Sequence, residues 1–133
     1  LDEYITEYLN FDLFLNAPGQ GAIAVEVNSK NKEVNQLVST INHERTMICT
    51  RHERDFMKRM GGGCNYPIGA YSYFEGNKIF LEGIILSLNG KKSIKHKVKS
   101  EDKDSDLAYE LGLKFNKDNV KDLINEIDDE IRQ

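Results

Sequence analysis

The chain has 133 residues, 39% hydrophobic and 30% charged, which suffices for one globular domain with a core and is marginal for two. Its formal charge of −4 disfavours general nucleic-acid binding, and no apolar run approaches the roughly 20 residues of a membrane-spanning helix. Two cysteines do not make a disulfide framework, so we expect a reducing compartment. Because the chain starts at Leu1 and not at a methionine, we expect it to be a piece of a longer protein.

The first third of the chain predicts a turn, a short strand and a helix. Residues 16–21 contain two glycines and a proline and are typical of a turn. Residues 22–27 form a short apolar run that predicts a strand. After a polar linker, four aliphatic residues at helical spacing predict a helix with one apolar stripe: Val34, Leu37, Val38 and Ile41.

A second helix is predicted from about residue 43 to residue 60, with Asn42 as its N-cap. We expect Cys49 in the core and His52 at the border of the core. The apolar face of this helix comprises Ile48, Cys49, His52, Phe56 and Met60.

Cys64 lies between three glycines and Pro67. The glycines let the backbone bend tightly, and Pro67 fixes its own φ and pushes Tyr66 toward an extended conformation. A thiol held at such a corner between a helix and a sheet suits a covalent attachment point. The same residues also fit glycines that end a helix, followed by a cysteine that is a small buried hydrophobe. Local chemistry alone leaves both interpretations open.

Beyond Pro67 the period changes to two, which predicts strands over residues 68–74, 78–88 and 91–99, with hairpin turns at Gly76 and Asn89-Gly90. The row Ser93, Lys95, Lys97 and Lys99 is interpreted as the solvated face of an edge strand. A helix capped by Ser105 or Asp104 and stopped by Gly112 follows, and then a helix over about residues 118–131. The order predicts an α+β fold with helices packed on one face of a small three-stranded antiparallel sheet.

No constellation of catalytic or metal-binding residues stands out. His43, Cys49, His52 and Cys64 have ligand chemistry, but they lack the closely paired spacing of a zinc module, and we expect no metal site. A nucleophilic pair built on Cys64 would use His43, His52 or His96 as its base, and the sequence alone cannot place any of them beside the thiol.

Three stretches, in this order and at these separations, resemble hydroxymethylbilane synthase, a family also called porphobilinogen deaminase. They are residues 17–26, which read Ala-Pro-Gly-Gln-Gly-Ala-Ile-Ala-Val-Glu, the pair Glu53-Arg54 in the following helix, and residues 62–69, which read Gly-Gly-Cys-Asn-Tyr-Pro-Ile-Gly. The resemblance covers essentially the whole chain. The chain departs from the family at Asn16, commonly proline, at the pair Asn65-Tyr66, and at Gly61, usually acidic.

The resemblance implies that Cys64 carries a dipyrromethane cofactor through a thioether. On that primer, four porphobilinogen units are condensed with loss of ammonia and released as hydroxymethylbilane. It further implies that Gln20 and Gly21 line the cofactor cleft. Arg54 either holds acidic side groups of the pyrrole chain or is a structural ion-pair partner.

The resemblance also implies two units: residues 1–27 as the end of a preceding domain with its junction strand, and residues 28–133 as the C-terminal cofactor-bearing domain. The catalytic aspartate and most of the carboxylate-binding arginines belong to the N-terminal domains of the same enzyme. We therefore expect no catalytic residue here and no activity from this chain alone. The family implies a monomer in the cytoplasm, or in a plastid if a transit peptide precedes. The alternative is a stand-alone α+β binding or regulatory module with a coincidental Gly-Gly-Cys.

Overall fold

A computed structural model describes residues 2–61 and 65–132 of the chain. After a 3-10 turn at Asp2–Tyr4, the helices are α1 (Lys32–Ser39), α2 (Glu44–Arg59), α3 (Leu107–Lys117) and α4 (Val120–Ile131), and the strands are β1 (Ile68–Glu75), β2 (Lys78–Leu86) and β3 (Ser93–Ser100). The predicted α+β class is confirmed. Within the described ranges, no helix is both long and apolar enough to cross a membrane.

The three strands form one antiparallel sheet in the order β1-β2-β3. Gly76 and Gly90 supply the positive φ angles, 58° and 69°, of its two hairpin turns. Helix α2 packs on β1 and β2, α3 packs on β2 and β3, and α4 packs on α3. The largest fully buried side chains between these layers are Phe56, Ile79, Leu81, Ile85, Leu107, Leu111, Phe115, Val120 and Ile127.

On the opposite face of the sheet, the predicted solvated lysine row of edge strand β3 is confirmed, and two of its lysines also pair with a carboxylate on β2. Lys97 Nζ lies 2.7 Å from Glu82 Oε1, and Lys95 Nζ lies 3.6 Å from Glu82 Oε2. The Lys97 ammonium also lies 5.0 Å from the ring centroids of both Tyr73 and Phe80. Glu82 is only 7% exposed, so these lysines neutralise a buried carboxylate on β2.

The N-cap of α2 is His43 and not Asn42. The imidazole Nδ1 of His43 accepts a hydrogen bond from the Thr46 backbone N–H, which satisfies one of the free donors of the first turn. Nδ1 also lies 2.8 Å from Thr46 Oγ1. The prediction differs by one residue because histidine is not among the usual capping residues, whereas asparagine is.

The N-cap of α3 is Asp106, whose Oδ1 accepts a hydrogen bond from the Tyr109 N–H at 2.9 Å. The predicted caps lie in the loop before it. Ser105 Oγ donates to Asp102 O at 2.7 Å, and the Asp104 N–H donates to Asp102 Oδ1 at 2.9 Å. Both predicted residues therefore belong to the turn before the helix, and the N-cap lies one residue after Ser105 and two residues after Asp104.

The prediction that Gly112 ends α3 is wrong, because the helix continues to Lys117. Gly112 is buried within α3, and a Cβ placed on it lies 3.3 Å from the Met60 methyl carbon. The substitution Gly112→Ala should raise the free energy of unfolding by about 0.5 kcal/mol, measured in urea. The reason is that alanine favours a helix by about 1 kcal/mol over glycine and the end of a flexible methionine can shift.

Asn116→Ala, at an exposed site of the same helix, reports the gain from helix propensity without a packing change. A net loss of stability in Gly112→Ala would contradict the prediction and mean that Met60 is held rigidly.

His52 is fully inside the fold and not at its border, with 4% of its surface exposed and Nε2 3.3 Å from Lys103 O. Burial lowers the pKa of His52 below its ordinary 6.5, although the bond to the carbonyl opposes the shift. The unfolded chain therefore binds a proton more readily than the folded one. The free energy of unfolding should be highest above pH 6.5 and should fall as the pH drops through the folded pKa.

Urea unfolding at about pH 7.5 and about pH 5.5 measures this loss, and His52→Gln should lose less stability between the two values. Equal losses in the parent chain and the variant would show that His52 does not carry the pH dependence.

Residues 22–27, expected as a strand, are not one in this structure. Within the described residues, the backbone of residues 23–27 makes no backbone hydrogen bond, and Ile23 is 94% exposed. The helix predicted from the apolar stripe is confirmed as α1, but this helix buries no residue. Leu37 in the helix and Ile41 just after it are exposed. A strand forms only beside another strand, and residues 22–27 pair with none of the strands β1–β3.

Candidate functional site

The glycine-rich turn of residues 17–21 is compact. The Gln20 N–H donates to Ala17 O at 3.0 Å, and the Ala22 N–H donates to Gly19 O at 3.2 Å. Gly19 and Gly21 have φ angles of 76° and 82°, in the left-handed region that glycine enters without strain. The Gln20 side chain closes the turn, because its Oε1 accepts a bond from the Ala17 N–H at 3.3 Å. These bonds fix the shape of the turn.

A buried carboxylate attaches this turn to the domain. Glu53 on α2 is 4% exposed; its Oε2 accepts a hydrogen bond from the Gly19 N–H at 2.7 Å, and its Oε1 accepts one from the Ser72 N–H of β1 at 2.8 Å. Burial raises the pKa of Glu53 although both bonds lower it. Sequence reasoning noted Glu53 only as part of a motif. Its position four residues after Cys49 and three before Phe56, on the buried stripe of α2, is the signal that could have found it.

The segment before the turn packs directly on β1. The Ala70 N–H donates to Asn16 O at 2.9 Å. A Cβ on Gly69 would lie 3.0 Å from Leu15 Cβ and 2.8 Å from Ile84 Cγ2. Glycine at the end of the Pro-Ile-Gly motif is therefore required for the close approach of this segment to the sheet.

A cavity of about 580 Å³ lies between the turn, α2 and β1. Gln20 and Gly21, the two predicted cofactor contacts in the turn, both line it. Cys49 lines it as well, so this residue is half-buried at the edge of the core and not inside it. Burial raises the pKa of the Cys49 thiol, which disfavours the reactive thiolate.

Arg54 lies elsewhere. It lines a neighbouring cavity of about 560 Å³ together with Ile23, Val25 and Met47. Its side chain is exposed, with Nε 3.5 Å from the position that a Cβ on Gly19 would take. Among residues 2–61 and 65–132, no ion pair within 4.0 Å involves Arg54. The structure therefore brings Gln20 and Gly21 to one cavity and Arg54 to the adjacent one.

Cys64 lies outside the described residues, so its predicted position at a rigid corner stays a prediction. The elements on either side are described: α2 ends at Arg59 and β1 begins at Ile68. The segment that carries Cys64 therefore connects a helix to an outer strand of the sheet, as the sequence predicts.

Together these features define a small α+β domain that holds a glycine-rich turn on a buried carboxylate and carries a Gly-Gly-Cys segment between helix and sheet. Residues 47–120 match the family described as "Porphobilinogen deaminase, C-terminal domain". The chain belongs to the porphobilinogen deaminase family.

Curated relatives agree with the family match. The chain is 46% identical over 94 residues to the porphobilinogen deaminase of Carboxydothermus hydrogenoformans. The aligned residues cover 71% of this chain and 30% of that protein. It is 34% identical over 133 residues to that of Alkaliphilus metalliredigens, covering 99% of this chain and 42% of the relative. It is 34% identical over 130 residues to that of Chlorobium phaeobacteroides, covering 97% and 42%. The chain thus spans less than half of the length of these relatives.

Proposed function

We propose that this chain is the cofactor-bearing part of a hydroxymethylbilane synthase, which acts in tetrapyrrole biosynthesis. The substrate is porphobilinogen, and four units are joined head to tail with loss of ammonia. The observation that carries the proposal is the family match over residues 47–120, because this stretch contains Cys64 together with its glycine and Pro-Ile-Gly neighbours.

Cys64 is the proposed attachment residue of a dipyrromethane cofactor, through a thioether. A thiol suits this role because sulfur is a strong nucleophile toward electrophilic carbon. When bound, the cofactor supplies the primer on which the pyrrole chain is built. The other cysteine does not compete, since Cys49 is half-buried and burial raises its pKa.

The residues of the turn fit the proposed cofactor. The cavity lined by Gln20 and Gly21, about 580 Å³, falls within the roughly 300–1,000 Å³ usual for small-molecule sites. A Cβ on Gly21 would meet no atom within 4 Å, so the backbone there faces open space. Arg54, exposed beside the turn, offers a guanidinium to a carboxylate of the growing pyrrole chain.

The partners of this chain in the proposed reaction are the N-terminal domains of the same enzyme, with residues 1–27 at the junction. They supply the catalytic aspartate and most of the carboxylate-binding arginines. The exposed Ile23 and Ile41 support the proposal, because both line the cavity beside Arg54 and a contiguous apolar patch is typical of an interaction surface. We propose a monomeric cytoplasmic enzyme.

The attachment is tested by the intact mass of the full-length enzyme and by peptide mapping. We expect the mass of a dipyrromethane on the peptide that contains Gly63 and Cys64. Cys64→Ser should lose the added mass, and the matched control Cys49→Ser should keep it. An active full-length enzyme with an unmodified Cys64 would contradict the proposal.

The isolated chain should be inactive, because the proposed acid–base aspartate lies outside it. Incubation of the chain with porphobilinogen, followed by detection of tetrapyrrole, tests this. Product above the blank would show that residues 1–133 suffice for turnover.

A further inference from the structure

We infer that Glu53 is a positioning residue, whose carboxylate sets where the glycine-rich turn of residues 17–21 lies relative to α2 and β1, the two elements that precede and follow Cys64 in the chain. The inference rests on the proposed function, since it takes Gln20 and Gly21 as contacts of the cofactor. It assigns Glu53 no contact with cofactor or substrate.

The geometry joins three elements at one side chain. Glu53 itself belongs to α2, which ends five residues before Cys64. Its Oε1 accepts the Ser72 N–H of β1 at 2.8 Å, and β1 begins four residues after Cys64. Its Oε2 accepts the Gly19 N–H of the turn at 2.7 Å. One carboxylate thus links the turn to both elements that flank the cysteine.

Only a carboxylate can hold both donors in this way. Its two oxygens accept and neither donates, so each backbone N–H has its own partner. A glutamine at this site offers one oxygen and one NH₂ group. We expect the oxygen to stay with the Ser72 N–H, because that bond is buried, whereas the bond to Gly19 is partly buried. Glu53→Gln therefore frees the turn and leaves the strand attached.

A freed turn has a direct consequence for the proposed reaction. The internal bonds of residues 17–21 preserve the shape of the turn, so it shifts as a unit with Gln20 and Gly21. A displacement of about 1 Å in a positioning group can reduce a rate by about 100-fold. The effect falls on turnover and not on the thioether itself, since Cys64 is untouched.

Glu82 provides the matched control. It is also a nearly buried glutamate, 7% exposed, and it lies on the face of the sheet opposite to α2. Its partners are Lys95 and Lys97, and among the described residues no hydrogen bond or ion pair joins it to residues 17–21. Glu82→Gln therefore removes a buried charge from the same domain without freeing residues 17–21.

The experiment compares Glu53→Gln and Glu82→Gln in the full-length enzyme by dipyrromethane occupancy from intact mass, melting temperature, kcat and KM for porphobilinogen. We expect both variants to carry the cofactor. Glu53→Gln should lower kcat about 10-fold or more with KM changed less than about twofold, whereas Glu82→Gln should keep kcat within about twofold. Gly19→Ala, which strains the turn at its positive φ of 76°, should lower kcat in the same way and decides the matter if Glu53→Gln does not fold.

Equal kcat values for the Glu53 and Glu82 variants, at comparable melting temperatures, would overturn the inference and reduce Glu53 to a structural residue. Unchanged turnover in Gly19→Ala would overturn it as well. Wild-type enzyme without dipyrromethane on Cys64 would instead overturn the proposed function, and the inference with it. Intact mass separates the two failures, because it reports attachment independently of rate.

Discussion

Gly83→Ala is expected to lower the free energy of unfolding by about 3 kcal/mol, at the upper end of the usual cost of overpacking a core. A Cβ on Gly83, in the middle of β2, would lie 2.5 Å from Cε1 and 2.6 Å from Cζ of Phe56. It would also lie 3.0 Å from Leu111 Cδ2. Both neighbours are fully buried, and a close-packed interior offers them no free space. The helix layer must therefore move away from the sheet.

Urea unfolding of the parent chain and the variant measures this loss. Gly112→Ala is the matched control, since it adds the same methyl group beside the yielding end of Met60 and should have the opposite sign. Phe56→Leu in the Gly83→Ala background should recover part of the loss, because it removes the ring that the new methyl group meets. A loss below about 1 kcal/mol would mean that the ring finds another rotamer.

Glu53→Leu is expected to cost about 3 kcal/mol in this domain, because it leaves two backbone donors without acceptors at about 1–3 kcal/mol each. The donors are the N–H groups of Gly19 and Ser72. Leucine nearly preserves the volume of the side chain, so loss of packing contributes little. Leucine also avoids the cost of burying a charge, which recovers part of the lost stability.

Amide hydrogen exchange resolves this prediction by residue. Exchange at Gly19 and Ser72 should accelerate more than exchange at β2, and Glu53→Gln should cost less than Glu53→Leu because it keeps one acceptor. Burial raises the pKa of Glu53, so its contribution to stability is largest below pH 4.5 and declines as the pH rises through the folded pKa. The difference in the free energy of unfolding between the parent chain and Glu53→Leu should therefore become smaller as the pH rises. A difference that grows with pH would contradict the raised pKa of Glu53.

The sheet and most helices could be predicted from the sequence, because short-range signals determine them. The two hairpins follow from the turn residues Gly76 and Asn89-Gly90, in which the glycines Gly76 and Gly90 adopt positive φ. The prediction that α3 ends at Gly112, which the structure contradicts, shows where such signals fail. Glycine is unfavourable in a helix, but here the helix continues through Gly112, which is buried where the end of Met60, the C-cap of α2, packs beside it. That contact between α2 and α3 is invisible to local patterns.

The candidate site likewise contains residues that the sequence could predict and a residue that it could not. Gln20 and Gly21 could be chosen from a motif, and the structure places both at one cavity. The role of Glu53 depends on backbone groups 34 residues before it and 19 residues after it, which no helical pattern reveals. The strand expected over residues 22–27 has the right pattern, but a strand needs a neighbouring strand, and within the described residues that neighbour is absent.

The segment that lies across the open face of the sheet has a consequence for the order of folding. Phe11 stacks on Tyr71, and Lys95 Nζ donates to Asp12 O across a separation of 83 residues. The hairpins, in contrast, close over short loops, and loop-closure entropy favours their earlier formation. We expect the helix-covered sheet to assemble first and residues 11–21 to dock last. Opening of this segment would then be a fluctuation of the native state that leaves the core intact.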